Sequence, residues 1–237
     1  ATILCSNKAN IFSKHLISIF IIALISLLLI IQPDIGQTLL VLFSWTVLIF
    51  TSGINLYLLI SIFLFGSLFL SYLIIFVPKF DYIQGRIFSF FNRETGSHNF
   101  QSDKAIDSIT SGGFFGKGMG EGTLKNSVPE AHTDYIISVI SEEFGVVAIM
   151  LILLLFLIFI YMVFKKINFE TNDKIKLILI GSISLILMQA TIHIGVNIRL
   201  FPTTGMTLPF LSYGGSSIVS TSILAGIILN LTKRKIN

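Results

Sequence analysis

LISIFIIALISLLLIIQPDIGQTLLVLFSWTVLIFTS, residues 16–52, is an apolar run interrupted by three residues, Gln32, Pro33 and Asp34. How the interruption is read decides the fold. A spanning helix takes about 20 mostly apolar residues, and a proline following a polar residue marks a natural helix boundary. One long kinked helix would leave Asp34 in hydrocarbon, at about 3 kcal/mol on insertion scales. Two spans joined by a tight turn avoid that cost. The rest of the chain then resolves into six spans, at about 16–31, 35–52, 54–77, 136–164, 175–198 and 210–231, with the first somewhat short. The expected fold is an all-α, polytopic transmembrane bundle forming a single membrane domain over 1–237, with one large extracytoplasmic loop, 78–134, carrying short helices.

Composition agrees. Of the 237 residues 54% are hydrophobic and 12% charged, half the charged share of an ordinary soluble domain, and the mean hydropathy is +0.89. Six spans put Lys8 and Lys14, the group Lys165, Lys166, Lys174 and Lys176, and the terminal Lys233, Arg234 and Lys235 on one face. The positive-inside tendency makes that face, with both termini, cytoplasmic. The 78–134 segment holds six Lys/Arg against seven Asp/Glu and faces outward. The net charge of +4 is thus a topology signal; the basic residues are dispersed and form no nucleic-acid groove. The single cysteine, Cys5, excludes an internal disulfide. Ala1 follows neither an initiator Met nor a signal-peptide pattern, as expected of a processed, trimmed or partial chain.

A structureless loop of this length is unusual unless it is functional. In FDYIQGRIFSFF, Phe80, Ile83, Ile87 and Phe90 recur at helical spacing, which suits a short helix lying on the membrane surface or packed onto the spans. GGFFGKGMGEG, residues 112–122, is either a flexible turn or a backbone cradle for a phosphate. The phosphate-loop pattern fails in detail, since Lys117 precedes Gly118 rather than Ser or Thr and no strand leads in. If a helix begins near Thr133, with Thr133 as N-cap, Asp134, Ser138, Ser141, Glu142 and Gly145 share one face, a polar stripe descending from the loop into the membrane. Asp134 would then serve chemistry or simply favour the helix dipole in the first turn. Glu142 and Glu143 point apart and are expected to be structurally satisfied, pairing with a base or capping another helix.

Span five carries Ser182, Gln189, His193 and Asn197 close to one face, for interhelical hydrogen bonds or a cavity lining. His193 lacks a second His or Cys at ligand spacing. A Ser138–His132–Asp134 triad has no geometric support in the sequence. Before span six, TLPFLSYGGSS (207–217) disfavours regular helix at Pro209, Gly214 and Gly215, while Ser212, Ser216 and Ser217 can satisfy loosened backbone. Arg199 could hold an anionic head group or anchor the span.

Taken in order, QPDIGQTLL (32–40), DYIQGRIFSF (81–90), GGFFGKGMGEGT (112–123), PEAHTDYIISVISEEFG (129–145) and GVNIRLFPTTGMTLPFLSYGGSS (195–217) resemble the SEDS family of polytopic bacterial proteins, the RodA and FtsW group, and most of all its division branch. The resemblance implies peptidoglycan glycosyltransferase activity, polymerising lipid II, the undecaprenyl-pyrophosphate-linked disaccharide-pentapeptide, in the bacterial inner membrane. It implies that Asp134, the aspartate of the HTD motif, is the catalytic base. Arg86, Lys117, Glu130, His132, Arg199 and Ser212 are the candidate substrate-binding residues. It admits a divalent cation, Mg or Mn, without showing a cage for one. It further implies a class B penicillin-binding transpeptidase and other division proteins as membrane partners. Family members usually have ten spans, and this chain resembles the last six. Thr204 stands where lysine is usual in the division branch, and Arg93 where proline is usual.

Two rival readings belong to other classes. Polar stripes in the spans could line a conduit for a lipid-linked precursor flippase, although the polar weight sits at the outer surface and no internal repeat is visible. A non-catalytic division scaffold is the other.

Overall fold

The computed structural model describes residues 2–5, 11–91 and 97–233; Lys8, Arg93, Arg234 and Lys235 lie outside them. Eight α-helices run α1 Ile11–Ile31, α2 Ile35–Thr51, α3 Leu56–Phe76, α4 Asp81–Phe91, α5 Ser97–Gly112, α6 Ile136–Phe169, α7 Asp173–Asn197 and α8 Gly215–Thr232, with no strand among the described residues. Five of them, α1 from Ser13 onward, α3, α6, α7 and α8, are long and apolar enough to cross a membrane, and α2 is an apolar helix of 17 residues. The chain is a multi-pass membrane protein. The shorter helix of the first pair is therefore α2, not α1. The interruption at 32–34 does separate two helices. Asp34 caps α2, its Oδ1 accepting from Gln37 N at 2.9 Å, so the carboxylate offsets the free amides of a helix start.

α7 is the hub. It packs against α2, α5, α6 and α8, while α1 lies on α2 and α3 packs chiefly on α4 and the turn Pro78–Phe80. Close approach has visible causes. A side chain at Gly181 would meet Leu48 of α2 at 3.1 Å, and one at Gly36 would meet Met206 at 2.7 Å. One apolar core joins Leu40, Ala105, Val128, Tyr135, Ile192, Val196 and Met206, gathering α2, α5, the entrance to α6, α7 and the 200–214 segment beneath the loop face. A second, of Val163, Ile167, Leu179, Ile183, Ile186 and Ile228, ties α6, α7 and α8 toward the opposite face.

Two expectations change, and one is resolved. α6 starts at Ile136 with Tyr135 as N-cap, so Thr133 is not the cap and Asp134 precedes the helix instead of lying in its first turn. α8 starts at Gly215, not near 210, because residues 200–214 run as irregular backbone. In α4 the polar residues Tyr82, Arg86 and Ser89, at i, i+4 and i+7, face inward, while Ile87, Phe88 and Phe91 are exposed. Of the stripe read from the sequence Phe80 is buried and Ile83 and Phe90 are half-buried, so α4 packs on its neighbours and turns part of its apolar surface outward, which suits an apolar surrounding.

α6 is also broken. Gly145 sits inside it at φ 77°, ψ −178°, which removes the helical bonds from Val146 N to Glu142 O and from Val147 N to Glu143 O. The glycine-rich loop replaces both and doubles them. Val146 N donates to Gly113 O (3.0 Å) and Val147 N to Phe114 O (3.3 Å), while Lys117 N donates to Glu142 O (2.9 Å) and Gly118 N to Glu143 O (3.1 Å). The glycines serve close backbone contact here: a Cβ at Gly145 would collide with the Phe114 carbonyl, and one at Gly116 with that of Glu143.

Candidate functional site

Asp134 lies in a tight turn between Pro129 and α6. Glu130 takes the left-handed conformation, φ 54°, which costs a non-glycine residue about 1–2 kcal/mol. Its carbonyl accepts from the N–H groups of Thr133 (3.1 Å), Asp134 (3.0 Å) and Tyr135 (3.3 Å), and Thr133 Oγ1 lies 2.9 Å from Glu130 Oε2. With the inner side of the turn folded onto Glu130, the carbonyls of 132, 133 and 134 point outward, and each finds one donor from beyond α6. Tyr213 N donates to His132 O (2.9 Å), Ser212 Oγ to Thr133 O (2.7 Å) and Asn197 Nδ2 to Asp134 O (3.0 Å).

The donors are themselves held. Ser212 Oγ accepts from Leu208 N at 2.8 Å. His193 Nδ1 is 2.7 Å from Met206 O; a carbonyl only accepts, so Nδ1 carries the proton and Nε2 presents its lone pair to Asn197 Nδ2, 3.3 Å away. One turn earlier, Gln189 Nε2 donates to Thr207 O (2.9 Å) and Ser217 Oγ (3.0 Å). The polar stripe of α7 thus knits that helix to the 200–217 segment, the first of the two roles its spacing allowed.

The carboxylate of Asp134 opens into a cleft of about 190 Å³ lined also by Arg86, Gln101, Tyr135 and Thr203. Val196, Gly205 and Met206 complete its wall. Gly205, at φ 70°, lies against the carboxylate, since a Cβ there would sit 3.6 Å from Asp134 Oδ2. Arg86 reaches in from α4 and donates to Thr203 O at 3.2 Å. Burial holds the Asp134 carboxyl above the usual carboxylate range, the charge of Glu130 adds to the rise, and a hydrogen bond with Thr133 opposes it. None of the ion pairs among the described residues involves Asp134. The Tyr135 hydroxyl is buried without a partner; burial and the Asp134 charge push its pKa up to about 12, so it remains a donor at neutral pH.

The other candidates fall elsewhere. Glu130 and His132 line a separate open hollow of about 400 Å³ with Lys125 and Val128. Lys117 Nζ pairs with Glu142 Oε1 at 3.3 Å. Glu142 itself is fully buried and also accepts from Leu124 N (2.9 Å), Lys125 N (2.7 Å) and Ser108 Oγ (3.0 Å). Glu143 pairs with Lys125. Both acids are therefore structural, as expected, and Ser138, Ser141 and Glu142 face α5 and the loop, not an open cavity. Arg199 pairs with Asp103 of α5, and Ser212 supports the turn. His132 and Ser138 are not hydrogen-bonded to each other in the structure. Tyr135, Gln101, Thr203 and Gly205 were not singled out from the sequence; Tyr135 follows HTD and Thr203 and Gly205 lie in the TTG before span six, while nothing in the sequence pointed to Gln101. Among the described residues no three His, Cys, Asp or Glu side chains gather as metal ligands.

A half-buried carboxylate without a counter-charge, mounted on a clamped turn at one end of a helical bundle, defines a class: multi-pass membrane proteins with a polar centre at the membrane face. The chain belongs to the cell cycle protein family FTSW_RODA_SPOVE, whose profile matches residues 3–237. It is 34% identical over 210 residues to a probable peptidoglycan glycosyltransferase FtsW of Caulobacter vibrioides, covering 88% of this chain and 52% of that protein. To the FtsW similarly named in Enterococcus hirae it is 31% identical, covering 97% and 61%, and to that of Buchnera aphidicola subsp. Schizaphis graminum 36% identical, covering 94% and 64%. A solved structure described under "Structural coordination of polymerization and crosslinking by a peptidoglycan synthase complex" superposes with a TM-score of 0.75 at 25% identity, over 98% of this chain and 64% of that one. The chain spans about half to two thirds of the length of these relatives.

Proposed function

We propose that this chain carries the polymerising centre of a peptidoglycan glycosyltransferase that joins lipid II units into glycan strands during division of the bacterial cell. The observation that carries the proposal is the shared cleft of Asp134 and Arg86, in which the carboxylate has no ion-pair partner while Lys117 and Arg199 are committed to Glu142 and Asp103. Asp134 removes the proton from the acceptor sugar hydroxyl as that oxygen bonds to the donor anomeric carbon. The anomeric carbon–oxygen bond breaks, and its electron pair leaves with the lipid pyrophosphate. Arg86 is the cation placed to offset the departing charge. The carboxyl's raised proton affinity makes its ionised form a stronger base than an exposed aspartate. A cleft of this volume takes in only the reacting end of a large substrate, leaving lipid and peptide to other surfaces. The divalent cation that the family resemblance admits finds no ready ligand set among these residues, and every step here uses protein groups.

In this reading the loop face is periplasmic and both termini are cytoplasmic, with the lysines of the α6–α7 turn inside. A class B penicillin-binding transpeptidase is the expected partner, supported by the synthase complex to which the fold is similar. The test is polymerisation of purified lipid II in proteoliposomes by the wild type and by Asp134→Asn, each also carried in a chain supplied with the further spans of a longer relative. Glycan strands from wild type and none from Asp134→Asn support the reading. Strands from both remove Asp134 from the chemistry, and precursor crossing the liposome membrane without polymer favours a flippase.

A further inference from the structure

The side chains at the tip of the glycine loop are among the most exposed apolar groups in the described chain: Phe114 is 76% exposed, Phe115 84% and Met119 83%. Large apolar groups gathered like this on a surface mark a contact with something apolar. What they contact is fixed by where the loop is fastened. Its backbone is bonded to α6 at the Gly145 break, through Gly113, Phe114, Lys117 and Gly118. Between Gly145 and Lys165, α6 reads VVAIMLILLLFLIFIYMVF, 19 residues without one charge. At 1.5 Å per residue this is about 28 Å of helix, the thickness of the hydrocarbon core.

We propose that Gly145 lies at the hydrocarbon boundary on the loop face, and that Phe114, Phe115 and Met119 are seated in bilayer lipid at that level, anchoring the loop as an interfacial wedge. The lipid-facing surface of the span continues directly into the wedge: Val147, Met150, Leu151 and Leu154 below the break are half or more exposed. Phenylalanine is among the side chains that segments lying at a membrane surface insert at the headgroup–acyl boundary. A break in a spanning helix is tolerated only where its free backbone groups are satisfied inside protein, and the loop bonds four of them, Glu142 O, Glu143 O, Val146 N and Val147 N. Above the break stand the charged pairs Glu142–Lys117 and Glu143–Lys125, which this placement puts outside the hydrocarbon. The inference holds whatever reaction the chain performs.

Spin labels on single cysteines test it, in full chain reconstituted into phosphatidylglycerol–phosphatidylethanolamine liposomes, in a Cys5→Ser background. Phe115→Cys and Met119→Cys replace exposed side chains and leave the backbone clasp intact, and Glu121→Cys, at an exposed acid of the same loop, is the control. At 115 and 119 collisions with dissolved oxygen are expected to exceed those with a neutral nickel chelate several-fold, with the order reversed at 121. Nickel prevailing at 115 and 119 would place the tip in water and overturn the proposal. Exclusion of both reagents there would also overturn it, by showing that protein, such as a further span or a second copy, covers the tip.

Discussion

At Asp134 one carboxyl is held by one turn, and its protonation links chemistry to stability. Because burial and Glu130 raise its pKa above 3.8, the acid limb of polymerisation should lie above the ordinary aspartate range. Glu130→Gln removes the second cause and should move that limb to lower pH, read from the pH profile of initial rates. The raised pKa also means that folded protein binds this proton more tightly than unfolded chain does. The group's stabilising contribution is then complete below 3.8 and is lost as pH rises through the folded value. At neutral pH the ionised Asp134 is a load on the fold, and Asp134→Asn should raise the thermal midpoint while abolishing polymer. An unchanged or lower midpoint would contradict the desolvation argument. The resemblance singled out Asp134 and its charge singled out Arg86 in the sequence; the rest of the surroundings was not legible, because Gln101, Thr203 and Gly205 reach the cleft from segments distant along the chain.

Elements meet at this site through backbone as much as through side chains, and that divides what sequence can disclose. The α7 stripe Gln189, His193, Asn197 was visible as a face, but its acceptors are the carbonyls of Asp134, Met206 and Thr207, which no residue identity reveals. The break at Gly145 was hidden for a related reason: the apolar pattern runs on through it, and only the returning loop shows where its hydrogen bonds go. Asn197→Leu keeps the volume but leaves the Asp134 carbonyl without its donor, at about 1–3 kcal/mol. If the clamp positions the base, this variant should lower kcat more than it raises KM, with Asn197→Gln restoring part of the rate. Glu142→Ala should cost more, about 3–5 kcal/mol, since it strands Lys117 and the amides of Leu124 and Lys125 around a vacated carboxylate. Denaturation of the two variants in detergent, side by side, checks the order.

Across the whole molecule, one turn fixes how many helices lie between the N-terminal end and the loop. Asp34 caps α2, so α1 and α2 are separate helices; six crossings would place residues 78–134 on one face and the α6–α7 turn on the other. Length and hydropathy made the apolar helices legible, five of them long enough to cross and α2 shorter, as hydrocarbon thickness leaves a spanning helix little freedom. Charge predicts the direction: Lys165, Lys166, Lys174 and Lys176 bracket the α6–α7 turn, whereas the loop face carries no basic excess. A base acting on a lipid-linked donor in the outer leaflet requires the loop to be outside. In the Cys5→Ser background, Glu121→Cys should react with a membrane-impermeant maleimide on intact cells after outer-membrane permeabilisation. Glu170→Cys, in the α6–α7 turn, should react only once the inner membrane is opened. The reverse pattern would put Asp134 in the cytoplasm and end the case for polymerisation at this cleft. Labelling of both positions from one side would show instead that one apolar helix does not cross, for which the 17 residues of α2 make it the first candidate.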